Sequence, residues 1–325
     1  MIRTLRTSFL ASLAIAFACM LAAAAPAARA ADGRYPERAI KLVAPQEPGS
    51  ATDKVSRILA DALEKELGGP VIVENKPGAG GTIGAEMVVR SAPDGYTLLV
   101  GGYPSLVVAS ATRPDLRYDA LRDFTPIGGF AVVPFVFAVH PSVPAKSLPD
   151  LVALAKANPG KLNVGSLGGG TTGMGTALLV AATGITMTPI EYKGATSAIT
   201  DLVAGRIDVL FNEIAALGVQ ADAHRVRLLA VAMPKRIAAA PNLPTTAEVG
   251  LPSVVVIPWY GLLGPAGMPP EVTARIVEAF AAARRSPEFR SRITALGYEL
   301  VDDDPATFSR HIVADLRAAK AVLPP

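Results

Sequence analysis

Short apolar runs alternate with amphipathic helical stretches along the chain, and this alternation constrains the fold more than any other feature. Ile40-Lys41-Leu42-Val43-Ala44 reads as a strand and is followed by the turn Pro45-Gln46-Glu47-Pro48-Gly49. Val55, Ile58, Leu59, Ala62, Leu63 and Leu67 then fall on one helical face, and Gly68-Gly69-Pro70 stops that helix. Further strands are predicted over 71–73, 96–100, 135–139, 162–166, 187–192, 207–211, 226–233 and 254–263. Ser147 is placed to cap a helix with Pro149 in its first turn, and Asn158-Pro159-Gly160 ends it. Residues 174–183 form a small-residue helical segment, and another helix ends at Gly205. The C-terminal part reads as three helices, over 270–283, 287–296 and 305–322, the last with Phe308, Ile312 and Leu316 on one face. This is the pattern of an α/β fold built from βαβ units. Two sets of about 100 residues each predict two lobes rather than a single large sheet.

The first thirty residues stand apart. Arg3 and Arg6 precede an apolar run of about 18 residues, followed by Pro26 and the A-x-A-like triplet Ala28-Arg29-Ala30. This is the pattern of a cleavable secretory signal peptide over residues 1–30; a membrane anchor is the weaker reading, because the run is only about 18 residues and ends in Pro26 and small residues. Its removal changes the charge argument. Three of the 31 Lys and Arg residues lie in it and none of the 28 acids does, so 28 bases face 28 acids beyond it. A polyanion-binding surface, and hence nucleic-acid binding, has no support in that balance. Cys19, the only cysteine, also lies in the leader, so the exported chain is expected to use neither disulfide nor thiol chemistry.

Between the run 162–164 and the segment 174–183 lies Val164-Gly165-Ser166-Leu167-Gly168-Gly169-Gly170-Thr171-Thr172-Gly173. A glycine loop leading from a strand into a helix can cradle an anion with its N–H groups. Gly168-x-Gly170-x-x-Gly173 matches a dinucleotide fingerprint, with Glu191 at the end of the next strand. An exported nucleotide binder, or an exported α/β enzyme using the same loop, is therefore the alternative reading. Hydrolase chemistry has weaker grounds, because Val164 stands where a nucleophile elbow around Ser166 needs glycine. His140, His224 and His311 are scattered and no Cys/His cluster occurs, so neither a metal nor a cofactor is expected. Asp302-Asp303-Asp304 precedes Pro305 and reads as a helix start with Asp304 as N-cap. What remains is anion recognition without catalysis. Four strand-to-helix junctions, 45–53, 76–84, 166–172 and 193–197, carry Gly, Ser or Thr and can turn N–H groups and a helix dipole toward a carboxylate.

Several segments carry a resemblance. They include Tyr35-Pro36-Glu37-Arg38-Ala39-Ile40, Val73-Glu74-Asn75-Lys76-Pro77-Gly78-Ala79-Gly80-Gly81-Thr82-Ile83-Gly84 and Ala92-Pro93-Asp94-Gly95-Tyr96-Thr97-Leu98. Asp123-Phe124-Thr125-Pro126-Ile127, Tyr192-Lys193-Gly194-Ala195 and Asp201-Leu202-Val203-Ala204-Gly205-Arg206-Ile207-Asp208 follow. Pro244-Thr245-Thr246-Ala247-Glu248-Val249-Gly250 and Trp259-Tyr260-Gly261-Leu262 complete the series. In this order they resemble the Bug/TctC family, the extracytoplasmic solute-binding receptors of tripartite tricarboxylate transporters.

The resemblance implies a type II periplasmic-binding-protein fold: two α/β lobes joined by two crossing strands, with a ligand cleft between them. Lobe 1 would comprise 31–133 plus 255–325 and lobe 2 would comprise 134–254, with crossings near 130–139 and 254–263. It implies a periplasmic, non-enzymatic, monomeric receptor that holds a small organic acid and meets membrane permease subunits. In such receptors the acid is held by the loop after the first strand and by a Ser-x-Gly-x-Gly-Ser/Thr loop. In the first loop these are Gln46, Glu47, Gly49, Ser50, Thr52 and Asp53; in the second, Ser166, Gly168, Gly169, Gly170 and Thr171. Ala195 and Asp208 complete the candidate set, with Asp208 and Tyr192 weighted toward support rather than contact. The backbone amides of Gly49, Gly168 and Gly170 and the hydroxyls of Ser50, Ser166 and Thr171 are the expected main contributors.

Two departures bear on the ligand. The family's first loop usually reads like Pro-Phe-x-Pro-Gly-Gly, whereas this chain has Pro45-Gln46-Glu47-Pro48-Gly49-Ser50. A desolvated Glu47 would repel an anion by several kcal/mol. Either it points to solvent, or the ligand carries an amine or an uncharged end there. Where the family often has His-Leu after the glycine loop, this chain has Met174-Gly175, which predicts a roomier or less polar pocket. The expected ligand thus places one carboxylate at the glycine loop and a less anionic group near Glu47.

Overall fold

The computed structural model describes residues 35–323 apart from 168, 169 and 193. The expected signal peptide, with Cys19, lies outside the described residues. Two sheets organise the rest. The first contains β1 (Ile40–Ala44), β2 (Val71–Asn75), β3 (Thr97–Gly102), β4 (Phe124–Val132), β10 (Trp259–Pro265) and β11 (Glu299–Leu300), in the order β11-β4-β10-β3-β1-β2. The second contains β5 (Phe135–Val139), β6 (Asn163–Ser166), β7 (Thr188–Glu191), β8 (Val209–Glu213) and β9 (Arg227–Val231), in the order β7-β6-β8-β5-β9.

Each sheet has a parallel half connected through helices and an antiparallel half that carries the crossings. β1 pairs in parallel with β2 and β3, while β10 runs antiparallel to β3 and β4. β6 pairs in parallel with β7 and β8, and β5 runs antiparallel to β8 and β9. The chain leaves the first sheet after Val132, enters the second at Phe135, and returns at Trp259. The two passages are stitched together: the Val133 amide donates to Pro258 O (2.7 Å) and the Val256 amide to Ala232 O (3.0 Å). Residues 254–258, expected as the start of a strand, are irregular, because Pro258 has no N–H for a ladder.

Helices form where the apolar periodicity places them. α1 (Ala51–Leu67) buries Val55, Leu59 and Leu63, with Ser50 as N-cap. α2 (Thr82–Val89) follows β2 through a 3₁₀ turn, Ala79–Gly81. After β3 a π-helical turn, Pro104–Val108, runs into α3 (Ala109–Thr112). α4 (Leu148–Ala157) starts with the capping box of Ser147 and Asp150. In the second lobe α5 (Thr171–Thr183), α6 (Ala195–Val203) and α7 (Ile214–Asp222) follow β6, β7 and β8. α8 (Pro270–Arg285), α9 (Pro287–Thr294) and α10 (Pro305–Val322) belong to the first lobe, where α10 is capped by Asp304 and packs on β4. Phe308 of α10 is buried edge-on against Trp259, with ring centroids 4.8 Å apart. Among the described residues no helix is long and apolar enough to cross a membrane.

Candidate functional site

The carboxyl ends of β1, β3, β6 and β8 release the chain into loops and helices around a cavity of about 60 Å³, between the two sheets. In the first lobe, the loop after β1 is fixed from beneath by Asp53. Its carboxylate accepts from the Gly49 amide (2.9 Å), Asn75 Nδ2 (2.9 Å) and Arg57 Nε (3.1 Å). Burial works to raise the Asp53 pKa, but those hydrogen bonds and the Arg57 charge outweigh it and lower the value. Asn75 also donates to Gln46 O (3.0 Å), and Ser50 Oγ accepts from the Asp53 amide (3.2 Å). The Gly49 N–H and the Asp53 carboxylate are thus engaged within the loop.

Of the six candidates in this stretch, Gln46 and Thr52 line the cavity. Gly49, Ser50 and Asp53 form the scaffold that holds them. Glu47 is exposed and is not among the lining residues. Of the two alternatives for Glu47, this placement matches the one in which it points to solvent. Thr52 is buried and its Oγ1 lies 3.4 Å from the Tyr260 hydroxyl.

A second first-lobe wall comes from Tyr103, Pro104 and Ser105, at the start of the π-helical turn. Ser105 Oγ donates to Gly102 O (3.2 Å), and its carbonyl accepts the Tyr118 hydroxyl. π-helical turns replace regular i−4 bonding and occur often at functional sites. Gly80, from the 3₁₀ turn, also reaches the cavity.

In the second lobe Gly170 is the extended N-cap of α5, and Thr171 behind it is buried and lines the cavity. Gly168 and Gly169 lie outside the described residues. Ser166 ends β6, and its carbonyl accepts from the Tyr192 amide (2.8 Å). Ala195 begins α6 away from the cavity lining. Asp208 precedes β8 at the end opposite Glu213, where its Oδ2 accepts from the Asn163 amide (2.7 Å). The Tyr192 hydroxyl donates to Asp201 (2.8 Å), which Arg206 also binds. Both therefore brace the second lobe. At Met174-Gly175 the structure shows no added room: Met174 is fully buried, and Gly175 faces the Phe211 ring closely enough that a Cβ would come within 2.1 Å of it.

Among the lining residues that the sequence reading missed, Glu213 is the charged one. It ends β8 and caps α7, its amide donates to Asn212 Oδ1 (2.7 Å), and its carboxyl group makes no capping bond. Burial raises its pKa. Only a partial signal was present: Glu213 lies two residues beyond the predicted strand 207–211, and the structure extends that strand to Glu213 just before α7.

Five helical starts, those of α1, the 3₁₀ turn before α2, the π-helical turn, α5 and α7, thus contribute lining residues or caps. Among the described residues no Lys, Arg or His lines the cavity, and no His/Cys/Asp/Glu group is placed to hold a metal. Positive potential comes from amides and helix dipoles, suited to holding a small anion.

Residues 55–324 match the tripartite tricarboxylate transporter family receptor, TctC. The chain belongs to this family. It is 33% identical over 282 residues to Protein BugT of Bordetella pertussis, covering 82% of this chain and 86% of that protein. Among solved TctC-like structures, an R. palustris protein with adipate superposes with TM-score 0.76 at 30% identity, covering 89% of this chain and 97% of that one. MatC from Rhodopseudomonas palustris with bound malate gives 0.75 at 29% identity, covering 89% and 99%. The two-lobed α/β architecture is that of these binding proteins.

Proposed function

We propose that this TctC protein is a periplasmic receptor that captures a small organic carboxylate between its lobes and presents it to the membrane subunits of a tripartite tricarboxylate-type transporter. The observation that carries this reading is the convergence of helical starts from both lobes on one cavity with no cation among its described lining residues. Such a site binds an anion through preorganised N–H groups at little entropic cost. The leader-like residues 1–30 support export. Adipate and malate in the R. palustris relatives support the carboxylate class.

The mechanism follows from the distribution of contacts. Gln46, Thr52 and Ser105 belong to the first lobe, and Thr171 and Glu213 to the second. A ligand bridging the two sets favours the lobes drawn together, and its differential affinity for that arrangement sets how far the population shifts. No bond in the ligand is made or broken.

Thermal-shift screening of the leaderless protein tests this reading, with mono-, di- and tricarboxylates beside NAD and ATP. A raised melting temperature with a carboxylate is expected, confirmed by calorimetric titration. Stabilisation by nucleotides alone would favour the glycine-loop nucleotide reading, and no response to any carboxylate would overturn the receptor assignment.

A further inference from the structure

Glu213 is the only charged side chain among the described cavity-lining residues, and no described group hydrogen-bonds its carboxyl. The lining otherwise supplies the neutral polar side chains of Gln46, Thr52, Ser105 and Thr171, the hydroxyls of Thr52 and Ser105 already bonded to Tyr260 and Gly102, and aromatic surface from Trp259 and Tyr260. Burial alone shifts Glu213, and the ionisable groups that feel its charge are the hydroxyls of Tyr260 and Tyr298, which share a hydrogen bond. Burial raises both of their pKa values, so they stay neutral near pH 7. Glu213 is partly buried, so its carboxylate has lost part of its hydration and has no counter-ion among the described residues, which is unfavourable unless a positive group arrives from elsewhere. A second carboxylate from a ligand would add repulsion at that wall.

We infer that the ligand brings the missing cation: it carries a positively charged nitrogen that pairs with Glu213, while its carboxylate is held by the helical starts. The ligand class is then an amino- or ammonio-carboxylate rather than a di- or tricarboxylate. This rests on the reading of the cavity as a carboxylate site and narrows it. Donors serve the carboxylate, Glu213 is the acceptor for the N–H groups, and the rings of Trp259 and Tyr260 offer a surface that suits a cation. Glu213 is thereby a specificity-determining residue. Exposed Glu47, which the sequence pointed to, has no part in the choice.

The test uses matched sets in which one end group changes: adipate, 6-aminohexanoate and hexanoate, and succinate, 4-aminobutanoate and butanoate. Calorimetric titration of the leaderless protein should show, for at least one length, the amino acid binding at least tenfold tighter than both its dicarboxylate and its monocarboxylate. Glu213→Gln should lose at least tenfold for that amino acid and narrow or reverse its advantage over the dicarboxylate. Glu213→Asp, which keeps the charge, should retain part of it, and far-UV circular dichroism and melting confirm that both variants fold. Titration in buffers of different ionisation enthalpy adds a second readout. An ammonium group lowers the raised Glu213 pKa, so binding the amino acid should release protons. Proton uptake with a tighter-binding dicarboxylate would show a protonated Glu213 donating to an anion and would overturn the inference. So would an amino acid no tighter than its monocarboxylate, or one indifferent to Glu213→Gln. If none of the six acids binds the folded protein, this inference is overturned; if no other mono-, di- or tricarboxylate binds either, the carboxylate-site reading falls with it.

Discussion

Asp53 Oδ2 lies 2.9 Å from the amide nitrogen of Gly49, a residue held at φ 81° at the tip of the first cavity loop. This bond closes the loop onto the first turn of α1, and Asn75 fixes the other side through Gln46. Asp53→Ala leaves the Gly49 N–H and Asn75 Nδ2 without their acceptor and Arg57 without its partner. A loss of about 2–3 kcal/mol at pH 7 is expected, with weaker ligand binding because Gln46 and Thr52 lose their support. The pH dependence has a definite sign. The Asp53 pKa is lowered in the folded state, so its contribution is complete above the unfolded value of about 3.9 and disappears as pH falls through the lowered one. Urea unfolding of the wild type and variant should show the gap at pH 7 and its narrowing toward pH 3.

Gly170→Val tests the second-lobe anion site. Gly170 has φ −78° and ψ −171°, an extended conformation open to a β-branched residue, and a Cβ there meets only Leu167 O at 3.6 Å. Stability should change by less than about 1 kcal/mol. Affinity for the bound acid should fall at least tenfold, because the branched side chain covers the amide end of α5. Melting and calorimetric titration separate the two effects, and unchanged affinity would remove Gly170 from the site.

Strands, helices and caps were legible where period and local chemistry agree. Ser147 and Asp304 cap their helices as the sequence indicates, and Asp304 has no ion-binding arrangement to explain. β4 was harder to read because Pro126, Gly128 and Gly129 interrupt its apolar pattern; its pairing with the bulged β10 supplies what local propensity does not. α5 begins at Thr171, ahead of the apolar segment that marks it in the sequence, since Gly170 serves as its cap. In the site, the junction rule located Gln46, Thr52, Gly80 and Thr171 on loops that reach the cavity. Glu213 escaped because its junction lacks the glycine signature, and Tyr103 and Ser105 escaped although Gly101-Gly102 precede them; only the tertiary arrangement brings those strand ends together. Which carboxylate faces the cavity depends on side-chain direction, which the sequence does not carry: Glu47 is exposed and Glu213 lines the cavity.

Trp259 Nε1 donates to Asp315 Oδ2 at 2.8 Å, joining the first strand residue after the crossing to α10. Burial pushes the Asp315 pKa up to about 6, against the pull of the Trp259 bond and nearby His311. A carboxyl with a raised pKa favours the fold while protonated. Its contribution is complete below about pH 4 and is lost as pH rises through about 6. Asp315→Asn keeps an acceptor for Trp259 without the buried charge. It should stabilise the protein by about 1–2 kcal/mol at pH 8 and give no gain at pH 4. Denaturant midpoints at the two pH values decide it, and an equal effect at both would remove Asp315 as the source.

Gly175 places α5 against the second sheet. A Cβ there would meet Phe211 Cε1 at 2.1 Å, and Phe211 cannot easily yield, since it is fully buried with ring centroids 5.3 Å from Phe135 and 4.5 Å from Phe137. Two effects oppose each other in Gly175→Ala. Helix propensity favours alanine by about 1 kcal/mol, while overpacking a closed core costs about 1–3 kcal/mol. The second prevails here because the obstructing atoms belong to a locked aromatic cluster rather than to a flexible side chain. A net loss of about 1–2 kcal/mol is expected. Because Thr171 rides on the first turn of the same helix, lifting α5 from β8 should also weaken ligand binding. Phe211→Leu makes room for the added methyl group, so the double variant should be more stable than the sum of the two single losses predicts. Denaturant unfolding of all four proteins measures that coupling, and strict additivity would show that the Gly175–Phe211 contact does not set the height of the helix.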